Sequence, residues 1–105
     1  MANGEDGTTV LTRTLRIRNQ RGLHARAAAK FVGLAERYGA AVEVVKLNAA
    51  GRPEGEAVSA RSIMGLMLMG VGVGSDIEIR ADGWDAKEAL DALDALVEAG
   101  FHEGN

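Results

Sequence analysis

Apolar residues change their spacing repeatedly along this chain, from every second residue to the three-and-four spacing of a helix. That alternation limits the available folds more than any other feature. Leu11, Arg13, Leu15 and Ile17 fall on one side of a first stretch, with Thr12, Thr14, Arg16 and Arg18 on the other, which predicts a half-buried strand. Asn19-Gln20-Arg21-Gly22 turns the chain into a helix that offers Ala28, Phe31, Val32 and Ala35 to a core, with Gly39 placed to end it. Val42 and Val44 begin a second strand that runs to about Lys46. Turn residues fill 48–55, and a short third strand follows around Ala57–Ala60. Ser62 is a good N-cap for a short helix stopped by Gly70, and Val71-Gly72-Val73-Gly74 is a flexible connection. Asp76-Ile77-Glu78-Ile79-Arg80 alternates cleanly as a fourth strand.

Asp82-Gly83 turns the chain again, and Asp85 with Glu88 resembles a capping box. Trp84, just before that cap, is expected to staple the helix start against Ala89. The last helix should bury Ala86, Ala89, Leu90, Leu93, Leu96 and Val97, stop at Gly100, and turn Glu88, Asp91, Asp94 and Glu98 to water as an acidic stripe. Strand, helix, strand, strand, helix, strand, helix is the order of an α+β domain. Its expected form is two-layered, a four-stranded, mainly antiparallel sheet with three helices on one face. Residues 1–8 are expected to be a disordered tail, 9–100 the one domain, and 101–105, with His102, a C-terminal tail.

The chain has no cysteine, which removes disulfides and thiolate metal sites. No apolar run is long enough to span a membrane, and Met1–Gly7 lacks the basic and apolar segments of a signal peptide, so the cytoplasm is the expected location. A net charge of −3 argues against a general nucleic-acid binder.

Chemistry concentrates at Gly22-Leu23-His24-Ala25-Arg26. The glycine permits a tight turn, and the alanine-rich helix starting beside His24 presents backbone N–H groups that lack helical acceptors. An imidazole there is either a capping residue or a nucleophile that takes up a phosphoryl group beside a ready anion cradle. Arg26, in the first turn, could share the anion. A second signal is the helix after Ser62, which is apolar almost all round. Leu66 and Met69 should fill the core, while Met64 and Met67 should remain on an adaptable partner surface. Ser62 caps that helix and is also placed to accept a phosphate, whose charge of about −1.5 to −2 suits a helix start but would disturb docking.

Other patterns carry less. Gly70–Gly74 leads out of a helix, so it is not a phosphate loop. His24 and His102 lack metal-ligand spacing, and no serine has an evident base and orienter, so no metal, cofactor or hydrolytic triad is expected.

Gly22-Leu23-His24-Ala25-Arg26, Arg61-Ser62-Ile63-Met64-Gly65 and the element order together resemble the HPr family of histidine phosphocarriers in the bacterial phosphotransferase system, from about residue 11 to 98. The resemblance implies an open-faced β-sandwich and a carrier rather than an enzyme. It implies that enzyme I, drawing on phosphoenolpyruvate, modifies His24 at Nδ1 with help from Arg26, and that an enzyme IIA-type acceptor takes the group. It further implies that an HPr kinase/phosphatase modifies Ser62 with ATP, and that Ile63, Met64 and Met67 form the docking surface of a monomer. The alternative is the nitrogen-related branch, a regulatory module acting through phosphorylation-dependent docking rather than sugar uptake. Three positions depart from the family: Ala27 where proline is usual, Arg21 where a small or polar residue is usual, and a longer connection after Leu47.

Overall fold

Four strands and three helices appear in the expected order in the computed structural model, which describes residues 10–103. The expected tail over residues 1–8 lies outside the described residues. The strands are β1 (Val10–Arg16), β2 (Ala41–Leu47), β3 (Pro53–Ser59) and β4 (Asp76–Asp82). The helices are α1 (Ala25–Ala35), α2 (Ile63–Leu68) and α3 (Ala86–Glu98), followed by a 3₁₀ turn at Gly100–His102. The sheet runs β1-β4-β2-β3 with every neighbour antiparallel, and the helices cover one face in an open-faced α+β sandwich.

Strand alternation and helical spacing meet in one core. Ile77 and Ile79 of the central strand β4 lie opposite Leu15 and Arg13 of β1 on one side and Lys46 and Val44 of β2 on the other. The inward face therefore carries Leu15, Val42, Val44, Ile77, Ile79 and Ala81, all buried. Helix α1 packs Ala28, Phe31, Val32 and Ala35 against it, and α3 packs all six residues its periodicity assigned.

Several local expectations are corrected. Strand β3 begins at Pro53 rather than near Ala57, because an edge strand tolerates a residue without an N–H at its first position. Its exposed Glu54 and Glu56 also keep that edge from pairing with another chain. Helix α1 ends at Ala35, and Gly39 does not cap it; the Gly39 N–H instead donates to Asp85 Oδ2.

The Asp85–Glu88 capping box does not form either. Both Asp85 oxygens are taken by the N–H groups of Gly39 and Ala40, each at 2.8 Å, which ties the start of α3 to the start of β2. Trp84 is 88% exposed beside Gly39, so it staples nothing against the buried Ala89. The acidic stripe of α3 is not simply solvated. Arg13, on the inward face of β1, reaches Asp91 and Asp94, while Arg18 pairs with Glu98. At the C-terminal end, residues 101–103 are not a loose tail: Phe101 is fully buried and belongs to the core.

Candidate functional site

Gly22 makes the turn into α1 with φ +66, a left-handed conformation that favours glycine. The turn is braced by the connection after α2, where Leu23 N–H donates to Val71 O at 3.1 Å. The connection is bonded onward to the residue that follows β1: Gly74 N–H donates to Ile17 O, and Ile17 N–H to Ser75 O, at 2.8 and 2.9 Å. Val71–Gly74, expected to be a flexible connection, is thus the wall that holds the turn in place.

His24 follows as the N-cap of α1, in extended conformation. Its Nδ1 accepts the Arg26 N–H at 3.2 Å, and its carbonyl accepts the Ala28 N–H at 2.8 Å. An amide N–H can only donate, so Nδ1 presents its lone pair to the helix N-terminus. The other ring nitrogen, Nε2, faces the Glu103 carboxylate, which can only accept, so Nε2 bears the proton. The side chain is 15% exposed, neither sealed in the core nor loose in solvent. This ring has one free nucleophilic nitrogen, and it points at partial positive charge.

Glu103, the partner of the ring, also lines a basic cleft. The cleft measures about 750 Å³, and Arg18, Arg21, Arg26, Lys30 and His102 line it with Glu103. Arg18 is paired with Glu98, but among the described residues Arg21, Arg26 and Lys30 have no carboxylate partner. Arg26 is therefore a residue of the cleft lining that no carboxylate holds among the described residues. The Glu103 carboxyl is held below the usual range, first by the hydrogen bond from His24. Loss of solvation opposes it, second in size, and Asn19 and the charge of Arg21 add smaller effects in the same sense as the hydrogen bond. Among the described residues, no three His, Asp or Glu side chains gather as metal ligands would.

Ser62 lies elsewhere on the surface, at the start of α2. Its Oγ accepts the Gly65 N–H at 2.8 Å, a close approach that Gly65 permits because a Cβ there would meet Oγ at 2.9 Å. Leu66 is fully buried and Met69 packs against the core, as their spacing implied. Ile63, Met64 and Met67 are 41%, 64% and 38% exposed. Leu68, which sequence reasoning did not single out, is 78% exposed beside them. Helix α2 packs against α1, so this apolar surface adjoins the helix that carries His24.

Two site residues had no sequence signal as such. Asn19 read as a turn residue, yet it is buried, and its Nδ2 donates to Gly22 O at 2.9 Å and to Glu103 Oε1 at 3.2 Å. Glu103 lies 79 positions from His24, beyond the reach of any local pattern. A separate apolar hollow of about 580 Å³ between α1 and α3 contains neither His24 nor Arg26.

Known proteins share both sequence and fold with this chain. Residues 11–99 match the family model described as the PTS HPr component phosphorylation site. Phosphocarrier protein HPr of Cupriavidus necator is 45% identical over 95 residues, 90% of this chain and 99% of that protein. Phosphocarrier protein NPr of Shewanella violacea is 41% identical over 98 residues, 92% of this chain and 99% of that one. The crystal structure of HPr-C-His from Thermoanaerobacter tengcongensis superposes with a TM-score of 0.78 at 37% identity, covering 90% and 99% of the two chains. Agreement of this extent, in sequence and in the sheet-and-helix arrangement alike, means that the chain belongs to the HPr/NPr family of phosphocarrier proteins.

Proposed function

We propose that His24 is the phosphoryl acceptor of a carrier in the phosphoenolpyruvate-dependent relay. Enzyme I supplies the group to Nδ1, and an enzyme IIA-type protein removes it. The observation that carries this reading is the direction of the Nδ1 lone pair, toward the Arg26 amide, with the Nε2 proton already engaged. A phosphoryl group on Nδ1 lies where free amide hydrogens and the helix dipole favour negative charge. Arg26 neutralises part of that charge, and its position in the cleft supports the role. The protein is modified and released in this scheme, as a carrier rather than a catalyst, and it works in the cytoplasm as a monomer.

Ser62 is the second modification site in this reading, phosphorylated by an HPr kinase/phosphatase with ATP. Added charge at the start of α2 suits the helix but sits beside exposed Ile63, Met64 and Met67, where a partner would have to desolvate it. Phosphorylation at Ser62 thus acts on docking rather than on folding.

The experiment is incubation with enzyme I and labelled phosphoenolpyruvate. An acid-labile, alkali-stable label appears on the parent and is lost in His24→Ala; a label that survives the substitution refutes the assignment. The likeness to an NPr protein supports a second reading, in which the relay serves nitrogen-related regulation instead of sugar uptake. If His24→Ala leaves every regulatory effect intact while Ser62→Asp abolishes or creates one, docking alone is the function.

A further inference from the structure

The chain ends in a hook that brings a carboxylate back to His24. After α3, Gly100, Phe101 and His102 take φ values of 61, 58 and 58, so two successive residues with side chains adopt the left-handed region that such residues avoid. Phe101 anchors the hook in the core, and Lys30 Nζ holds its carbonyl at 2.6 Å. The Glu103 N–H closes the turn on Gly100 O at 3.1 Å. Glu103 then reaches the His24 ring, with one oxygen on Nε2 and the other on Asn19 Nδ2, the amide that also holds Gly22 O. Asn19 thereby joins the hook to the turn that sets the ring. Backbone in a disfavoured conformation persists only where its surroundings enforce it, and here what it delivers is one carboxylate to one imidazole nitrogen.

We propose that Glu103 is a positioning residue for His24: by accepting the Nε2–H, it fixes the tautomer and ring orientation that leave the Nδ1 lone pair facing the helix N-terminus. This rests on reading His24 as the phosphoryl acceptor. In the transfer, the Nδ1 lone pair forms the nitrogen–phosphorus bond while the bond from phosphorus to the donor's leaving atom breaks, and that electron pair departs with the donor. The ring keeps its Nε2 proton and becomes cationic. Among the described residues Glu103 is the only carboxylate lining the basic cleft beside it, and Glu103 also contacts the ring, so it offsets the new charge. Release to an acceptor reverses the step, and the proton again stays on Nε2. Without Glu103 the proton is free to move to Nδ1, where it blocks the nucleophile.

Nitrogen-15 spectra of the His24 ring test this on the unphosphorylated full-length protein. The parent should hold the Nε2–H form almost alone, and Glu103→Ala should raise the Nδ1–H form several-fold. Single-turnover phosphorylation by enzyme I should then slow about tenfold, as when other partners that fix a histidine tautomer are removed. Glu103→Gln keeps an acceptor oxygen, so it should retain the parent tautomer and react faster than the alanine variant. An unchanged tautomer in Glu103→Ala overturns the proposal, as does equal slowing in the two variants. Because the tautomer is read before any phosphate is added, this failure is separate from a failure of His24 to take the label.

Discussion

Replacing Gly22 by alanine should damage both stability and the His24 turn, and the size of the loss follows from the geometry. A Cβ at this position would lie 2.4 Å from Val71 O and 2.9 Å from Gly72 Cα, both backbone atoms that no side-chain rotation can move aside. Left-handed φ costs a residue with a Cβ about 1–2 kcal/mol. Forcing the two backbones apart adds ~1–3 kcal/mol. Weakening the bond from Leu23 N–H to Val71 O adds roughly 1 kcal/mol more. A total near 4 kcal/mol should lower the melting temperature by ~20 °C in a domain of this size. Gly51→Ala supplies the control. Gly51 has φ +80, but a Cβ there meets nothing within 4 Å, so it bears the conformational cost alone. Its melting temperature should fall by about 5 °C. Circular-dichroism melts of the two variants separate the contributions. If Gly22→Ala melts with Gly51→Ala, the close approach of the two loops is not what requires glycine, and the reasoning is wrong.

The remaining expectations are smaller or act elsewhere. Asp85→Ala strands the N–H groups of Gly39 and Ala40 and should lose ~2–4 kcal/mol in urea unfolding; a loss below about 1 kcal/mol refutes the tie between α3 and β2. Ser62→Ala removes the cap from α2 and should cost ~1 kcal/mol, whereas Ser62→Asp, an equally good cap, should stay within roughly 0.5 kcal/mol of the parent. Changing Met64, Met67 and Leu68 together to Gln should leave the melting temperature within about 3 °C, since these side chains are exposed, while weakening the enzyme I interaction in a binding titration. Acid should destabilise the fold through Asp76, Asp91 and Glu103. Their carboxyls sit below the usual range because of Arg16, of Lys87 with Arg13, and of His24, respectively. A depressed carboxyl stabilises fully above its unfolded value near pH ~4 and loses that contribution as pH falls through the folded value. Urea midpoints should therefore fall steadily below about pH 4, and a rise there would contradict the assignment.

Local patterns carried most of the architecture. Strand alternation and helical spacing depend on residues two to four apart, so Leu15, Phe31, Leu90 and Leu93 could be assigned to the core from the chain alone. The same holds for His24 and Ser62, because an N-cap and the glycine or alanine residues around it are a local signal. Where long-range contacts compete with local ones, the chain misleads. Asp85 and Glu88 have the spacing of a capping box, yet the carboxylate satisfies the N–H groups of Gly39 and Ala40, 46 and 45 positions away. Pro53 and Gly55 look like turn residues but belong to β3, because an edge strand leaves their deficits exposed to water.

By itself, then, the sequence determined the order of elements, the inward faces and the imidazole at a helix start, since each depends on neighbours along the chain. Only the folded chain decided which nitrogen of that imidazole is free. That choice depends on Arg26 two residues away and on Glu103 at the far end of the chain, returned by a left-handed hook that is anchored by Phe101. A proton's place on a ring is set by whichever donors and acceptors surround it in space, and spacing along a chain does not record those.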